Sequence, residues 1–95
     1  MPDSRSSADV TVHLVYLARL REAFGRAGEA LTLSGGDATV AAVIALLRTR
    51  GGAYAAELAA GRAVRIAVNH TLVGGVDSAV RDGDEVALLP PVTGG

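Results

Sequence analysis

The chemistry this sequence can offer is concentrated in its last residues, Pro90-Pro91-Val92-Thr93-Gly94-Gly95. Two prolines bias the backbone towards an extended, polyproline-like path. Two terminal glycines leave no side chain beside the carboxylate. The residues after Leu89 reach roughly 19 Å at about 3.1 Å each. The end reads as a thin probe tipped by a carboxylate, able to enter a channel too narrow for any Cβ. Such a shape suits chemistry performed on the chain by another protein's active site. A plain flexible end is the alternative, because termini fray and glycine is common there.

Elsewhere no set of groups converges on a reaction. The chain has no cysteine, hence no disulfide framework, thiol nucleophile or Cys-type metal site. His13 and His70 are isolated and read as surface or turn residues. Gly25-Arg26-Ala27-Gly28 and Gly74-Gly75 lack the context of a phosphate loop. Asp82, Asp84 and Glu85 read as a solvated turn rather than a metal cluster; they can also orient a partner. All nine basic residues are arginine, dispersed along a chain of net charge −1. That pattern argues against nucleic-acid and anionic-membrane binding. Without lysine the chain cannot link to copies of itself through lysine isopeptides. The polar start, residues 1–8, has no apolar signal core, and no run of 18 apolar residues occurs, so no membrane span is expected. A cytoplasmic location with no bound metal or cofactor follows as the expectation.

The elements that must position the tail are legible from periodicity. Residues 1–8 read as a disordered arm, 9–89 as the folded domain and 90–95 as the extended tail. Val10 to Ala18 is a β-branched, aliphatic strand, and Arg19 to Phe24 a short helix ended by Gly25. Glu29 to Leu33 is a second strand, followed by a turn at Ser34-Gly35-Gly36-Asp37. Thr39 to Arg50 is the main helix, with Val40, Val43, Ile44 and Leu47 as its apolar stripe. Asp37 or Thr39 can cap its start, Arg48 and Arg50 suit its negative end, and Gly51-Gly52 stops it. Ala53 to Ala60 is a shorter helix. Arg65 to Val68 and Thr71 to Val73 are strands around an Asn69-His70 turn. Glu85 to Leu89 is the last strand, entered through an Asp82-Gly83-Asp84 turn.

One long helix laid across one face of a mixed sheet satisfies this order. That is an α+β, β-grasp arrangement with the first and last strands central; an αβ-plait is the alternative. Alternation then divides the central strands. Val12, Leu14, Val86 and Leu88 meet the helix, and Val15, Leu17, Ala87 and Leu89 point away. An uncovered aliphatic patch beside the tail's exit suits a protein partner. The competing reading folds the short helices over that face.

From Ala67 to Gly95 the sequence is AVNHTLVGGVDSAVRDGDEVALLPPVTGG. It resembles the small, sulfur-carrier subunit of molybdopterin synthase (the MoaD family). The matching pieces are Ala67-Val68-Asn69, the Asp82-Gly83-Asp84-Glu85-Val86-Ala87 block and the Pro-Pro-Val-Thr-Gly-Gly end. Leu17-Ala18-Arg19-Leu20-Arg21-Glu22, closed by Gly25, also looks like that family's first strand and helix. The segment from Ala30 to Ala63 carries no family motif. The resemblance implies a ubiquitin-like β-grasp and no catalytic residue on this chain. It further implies that Gly95 is adenylated by a ubiquitin-activating-type adenylyltransferase that uses ATP. A persulfide donor then supplies sulfur for a thiocarboxylate. Gly94 gives clearance, and the tail delivers the sulfur inside the large synthase subunit to cyclic pyranopterin monophosphate. Leu17 and Leu89 occupy partner-facing, often aromatic, family positions.

Sulfur carriers for thiamine, cysteine synthesis or tRNA thiolation share the fold and the Gly-Gly end, and the Pro-Pro-Val-Thr approach favours the molybdopterin branch. A ubiquitin-like modifier, whose terminal glycine becomes an isopeptide, and a plain binding module are the readings from other classes.

Overall fold

A computed structural model describes residues 9–33, 38–59, 64–75 and 77–90. The expected arm 1–8, the turn at 34–37 and the tail residues 91–95 lie outside them. In chain order the elements are β1 (Val10–Tyr16), α1 (Ala18–Phe24), β2 (Gly28–Leu33), α2 (Val40–Arg48), α3 (Gly52–Glu57), β3 (Arg65–Val68), β4 (Thr71–Leu72) and β5 (Glu85–Leu89). The sheet runs β2-β1-β5-β3-β4. β1 and β5 are parallel neighbours at its centre, and the other pairings are antiparallel. This is the β-grasp order, and it excludes the αβ-plait.

Burial explains why the central pair is aliphatic. Val12, Tyr16, Val86 and Leu88 are fully buried, and Leu14 nearly so. Their alternate neighbours are not part of that core. The covering layer is α2 through Val40, Val43 and Leu47, joined by Leu20 and Phe24 of α1 and by Leu58 after α3. The short helices therefore lie on the same side as the main helix, and the reading that folds them over the opposite face is wrong. They are held there by their own apolar residues, which enter the existing core.

The helix boundaries shift by one to three residues from the pattern-based expectation. Thr39 caps α2, its hydroxyl accepting from the Ala42 amide at 3.1 Å. The helix ends at Arg48, so Arg50 lies beyond it. Gly51, at φ 73°, turns the chain directly into α3, which begins at Gly52 rather than Ala53. Gly25 closes α1 in the left-handed region as expected (φ 73°).

A polar hub seals one edge of this core. Glu29 shares the covered face with Leu14. Its carboxylate accepts from Tyr16 Oη at 2.6 Å, Arg50 at 2.7 Å and Arg26 at 3.2 Å. Arg50 beside it holds the Glu29 carboxyl below its usual range, against the opposing effect of burial. Burial first, then Glu29, pushes the Tyr16 hydroxyl up. Tyr54 stacks on Phe24 at 4.2 Å, and Tyr16 meets Phe24 edge-on at 4.8 Å. All of the chain's aromatic residues thus gather between β1, α1 and α3.

Candidate functional site at the tail exit

The last strand is fixed firmly at its entry. Arg81 donates its amide to Asp84 Oδ2 at 2.8 Å, and Thr11 donates its amide to Asp82 Oδ1 at 2.8 Å. Asn69 donates Nδ2 to Asp84 Oδ1 at 3.0 Å and accepts the Glu85 amide on Oδ1 at 2.9 Å. The Asn69 amide donates to the Glu85 carbonyl at 2.8 Å. Asn69 and His70 both have positive φ, as a tight two-residue hairpin turn requires. The Asn69 bond and the Arg81 amide hold the Asp84 carboxyl below its usual value. Asp82 and Asp84 are therefore clasp residues tying β1, β3 and β5 together, not merely solvated. Glu85 lies 3.1 Å from His70 Nε2, so His70 is exposed but not isolated. Among the described residues no group of three or more His, Asp or Glu could hold a metal ion.

The uncovered face is graded along the strands. Residues paired across a sheet share a face, so the register can be read as rows. At the clasp end the row is Ala30, His13, Glu85. The next row is Gly28, Val15, Ala87, Ala67, Leu72, without a polar side chain. Nearest the tail, Leu89 pairs with Arg65. Leu17 adjoins this last row, because its amide donates to the Leu88 carbonyl at 3.1 Å. The polar end thus gives way to an aliphatic row, and where the chain leaves the sheet at Leu89-Pro90 the two leucines stand beside the exposed Arg65.

The expected patch residues come together, with one difference. Leu17 is 41% exposed and Leu72 57%. Val15 and Leu89 are half-buried. Ala87 is only 7% exposed, because its methyl lies between Val15 and Ala67 in register. It floors the patch rather than projecting from it. Leu72 was not anticipated; its pairing with Ala67 was the missing signal. Gly28 has no side chain for a steric reason: a Cβ there would overlap the Leu14 carbonyl oxygen. Pro90 is half-buried at the exit, and Pro91, Val92, Thr93, Gly94 and Gly95 lie outside the described residues. No helix among those described is long and apolar enough to cross a membrane.

A β2-β1-β5-β3-β4 sheet with its helices on one face, an open opposite face with aliphatic residues at its middle, and a terminal segment leaving from the central strand defines a ubiquitin-like β-grasp protein. The likeness to known proteins is narrower than that class. The chain belongs to the ThiS family, whose model matches residues 14–95. It is 38% identical to the molybdopterin synthase sulfur carrier subunit of Haemophilus influenzae and 36% identical to that of Escherichia coli. Each match spans 88% of this chain and 99% of the relative. Among solved structures, a chain of the complex of subunits 1 and 2 of the molybdopterin-converting factor from Helicobacter pylori is 26% identical with a TM-score of 0.58. That match covers 90% of this chain and all of the other (100%). Small archaeal modifier protein 1 from Methanosarcina acetivorans is 28% identical with a TM-score of 0.68, covering 92% of this chain and 98% of its own.

Proposed function

We propose that this chain is the sulfur-carrier subunit of a molybdopterin synthase and that the Gly95 carboxylate is its reacting group. The observation that carries the reading is the coincidence of open-face aliphatic residues, Val15, Leu17 and Leu89, with the exit of the tail. A partner that covers Val15, Leu17 and Leu89 receives the tail in the same encounter. The relatives that match over nearly their full length are sulfur carriers, and one similar structure is a complex with a second subunit.

The chemistry divides accordingly. A carboxylate is a poor electrophile and its oxygen is no sulfur source. A ubiquitin-activating-type adenylyltransferase uses ATP to convert the terminal carboxylate into an acyl-adenylate, with AMP as leaving group. The outer sulfur of a persulfide donor attacks the acyl-adenylate and expels AMP to give an acyl disulfide. A thiol reductant then supplies the two electrons that cleave the S–S bond and leave a thiocarboxylate. The large subunit then binds the open face, admits the glycine tail and supplies the acid–base groups for transfer to cyclic pyranopterin monophosphate. This chain contributes reach, clearance and recognition. Catalysis belongs to the large subunit, and the cytoplasm, where ATP is available, is the setting.

A modifier reading has one observation in its favour, the similarity to the archaeal modifier protein. Intact-mass analysis of the chain recovered from cells separates the two. Replacement of one oxygen by sulfur at Gly95 is expected; adducts to other proteins in its place would support the modifier. Deleting Gly95, or adding one residue after it, should abolish thiocarboxylate formation while leaving the melting curve unchanged. A thiocarboxylate formed normally on the truncated chain would overturn the assignment.

A further inference from the structure

Ala18 has φ 51°, in the left-handed region. The other described residues with positive φ are glycines, or the Asn69-His70 pair of the hairpin turn. Asparagine and histidine are enriched in this region, and their polar side chains can bond locally. Alanine has a Cβ that opposes the conformation and no polar group to offset it. Backbone held in this way persists only where the surroundings over-determine it, and such sites gather where function depends on position.

The surroundings here are explicit. Ala18 is the corner at which the chain leaves β1 on the sheet and enters α1 on the covered face. On one side Tyr16 is fully buried; on the other, Leu20 is fully buried. Leu17 is held between them at both backbone groups. Its amide donates to the Leu88 carbonyl at 3.1 Å, and its carbonyl accepts from the Leu20 amide at 3.1 Å and the Arg21 amide at 3.4 Å. The Arg19–Glu57 ion pair at 3.2 Å ties the start of α1 to α3. Leu17 itself is extended (φ −119°, ψ 153°), so the alternation of β1 aims its side chain, and the left-handed turn at residue 18 sends α1 to the covered face, clear of it. The observed value leaves Leu17 41% exposed, beside Leu89 and the exit of the tail.

We propose that Ala18 is a positioning residue: its left-handed backbone turns α1 away from Leu17 and so leaves that side chain open to the partner subunit. This rests on the reading that the open face binds the large synthase subunit. Glycine would adopt the same corner without strain but would also leave it freely. Alanine pinned by Tyr16 and Leu20 keeps Leu17 pre-set, which lowers the ordering cost of binding.

A double-mutant cycle tests the proposal, with affinity for purified large subunit measured by calorimetry and melting followed in parallel. Ala18→Val, which disfavours positive φ more strongly, should weaken binding at least tenfold while unfolding stays cooperative. In a Leu17→Ala background it should cost almost nothing further, because the residue acts through Leu17. Ala18→Gly, a safer variant for folding, should lose a few-fold in affinity with Leu17 present and none without it. Equal losses in both backgrounds, or no loss from either Ala18 variant while Leu17→Ala weakens binding, would overturn the proposal alone. If Leu17→Ala binds as tightly as the parent, the partner-facing reading fails and the proposal falls with it.

Discussion

Leu88 and Leu89 are adjacent, chemically identical and on the same central strand, yet they live in different surroundings. Leu88 is fully buried beneath the helices, between Tyr16 and Ile66 in register. Leu89 is half-buried on the opposite face, paired with Arg65. The same contrast separates Tyr16 from Leu17. Two side chains of one type, one residue apart, thus differ: one holds the fold together and the other lies on the open face, the surface we propose a partner covers. The strand's alternation achieves this only while its register is fixed, and the clasp at Asn69, Asp82 and Asp84 fixes it.

The sharpest way to break the comparison is to place the same charge on both sides. Leu88→Asp loses the burial of a leucine and strands a carboxylate in the core, a cost on the order of 5 kcal/mol. Total stabilities of roughly 5–15 kcal/mol are typical, so this variant should be largely unfolded by circular dichroism. Leu89→Asp should melt within about 1 kcal/mol of the parent and fail to bind the large subunit in calorimetry. If Leu89→Asp unfolds instead, the open face is part of the core.

Next in size is an effect on turnover alone. Gly94→Val puts a stiff, branched side chain beside the reacting carbon. It should slow sulfur transfer with purified partners on the order of 100-fold, with no change in melting temperature. Unaltered turnover would mean that the receiving channel is wide.

Asn69→Ala probes the clasp. It removes the bonds to Asp84 and the Glu85 amide and leaves alanine at φ 50°, for a loss of about 2 kcal/mol in chemical denaturation. A one-residue slip of β5 would exchange the faces of Leu88 and Leu89. Slowed amide exchange across β5 in the variant would contradict the clasp's role.

The smallest effect is on acid stability. Glu29 and Asp84 have folded-state pKa values below the ordinary carboxylate range of about 4. Their contribution is complete above that range and is lost as pH falls through it towards the lowered values, because the unfolded chain takes up protons first. Melting temperature should fall below pH of about 4, and Glu29→Gln should flatten part of that slope. A steeper slope in the variant would assign the acid sensitivity elsewhere.

What could be read in the residues follows from how local each signal is. The alternation of Val12, Leu14, Val86 and Leu88, the stripe on α2 and the glycine after α1 depend on spacings within one element, and each was legible. The burial of Ala87 was not, since it depends on Val15 and Ala67 arriving on either side. Glu29 looked like an ordinary strand residue, and Arg50 like a partner for the end of a helix. Their ion pair spans 21 positions of chain and exists only once α2 stops at Arg48. The acidic turn looked solvated because its partners, Thr11 and Asn69, are remote in sequence. For the tail, residues 91–95, the sequence remains the whole account.

The parallel pairing of β1 with β5 also has a mechanical consequence. A pull on the tail draws β5 along its own axis, past β1, whose pairing runs from His13↔Glu85 to Tyr16↔Leu88. If the load is borne at the start of β1, the two strands are drawn in opposite directions along a common line. The hydrogen bonds between them are then strained together, in shear, rather than opened singly like a zip. A subunit gripping the glycine end can tug on this protein without peeling away its last strand.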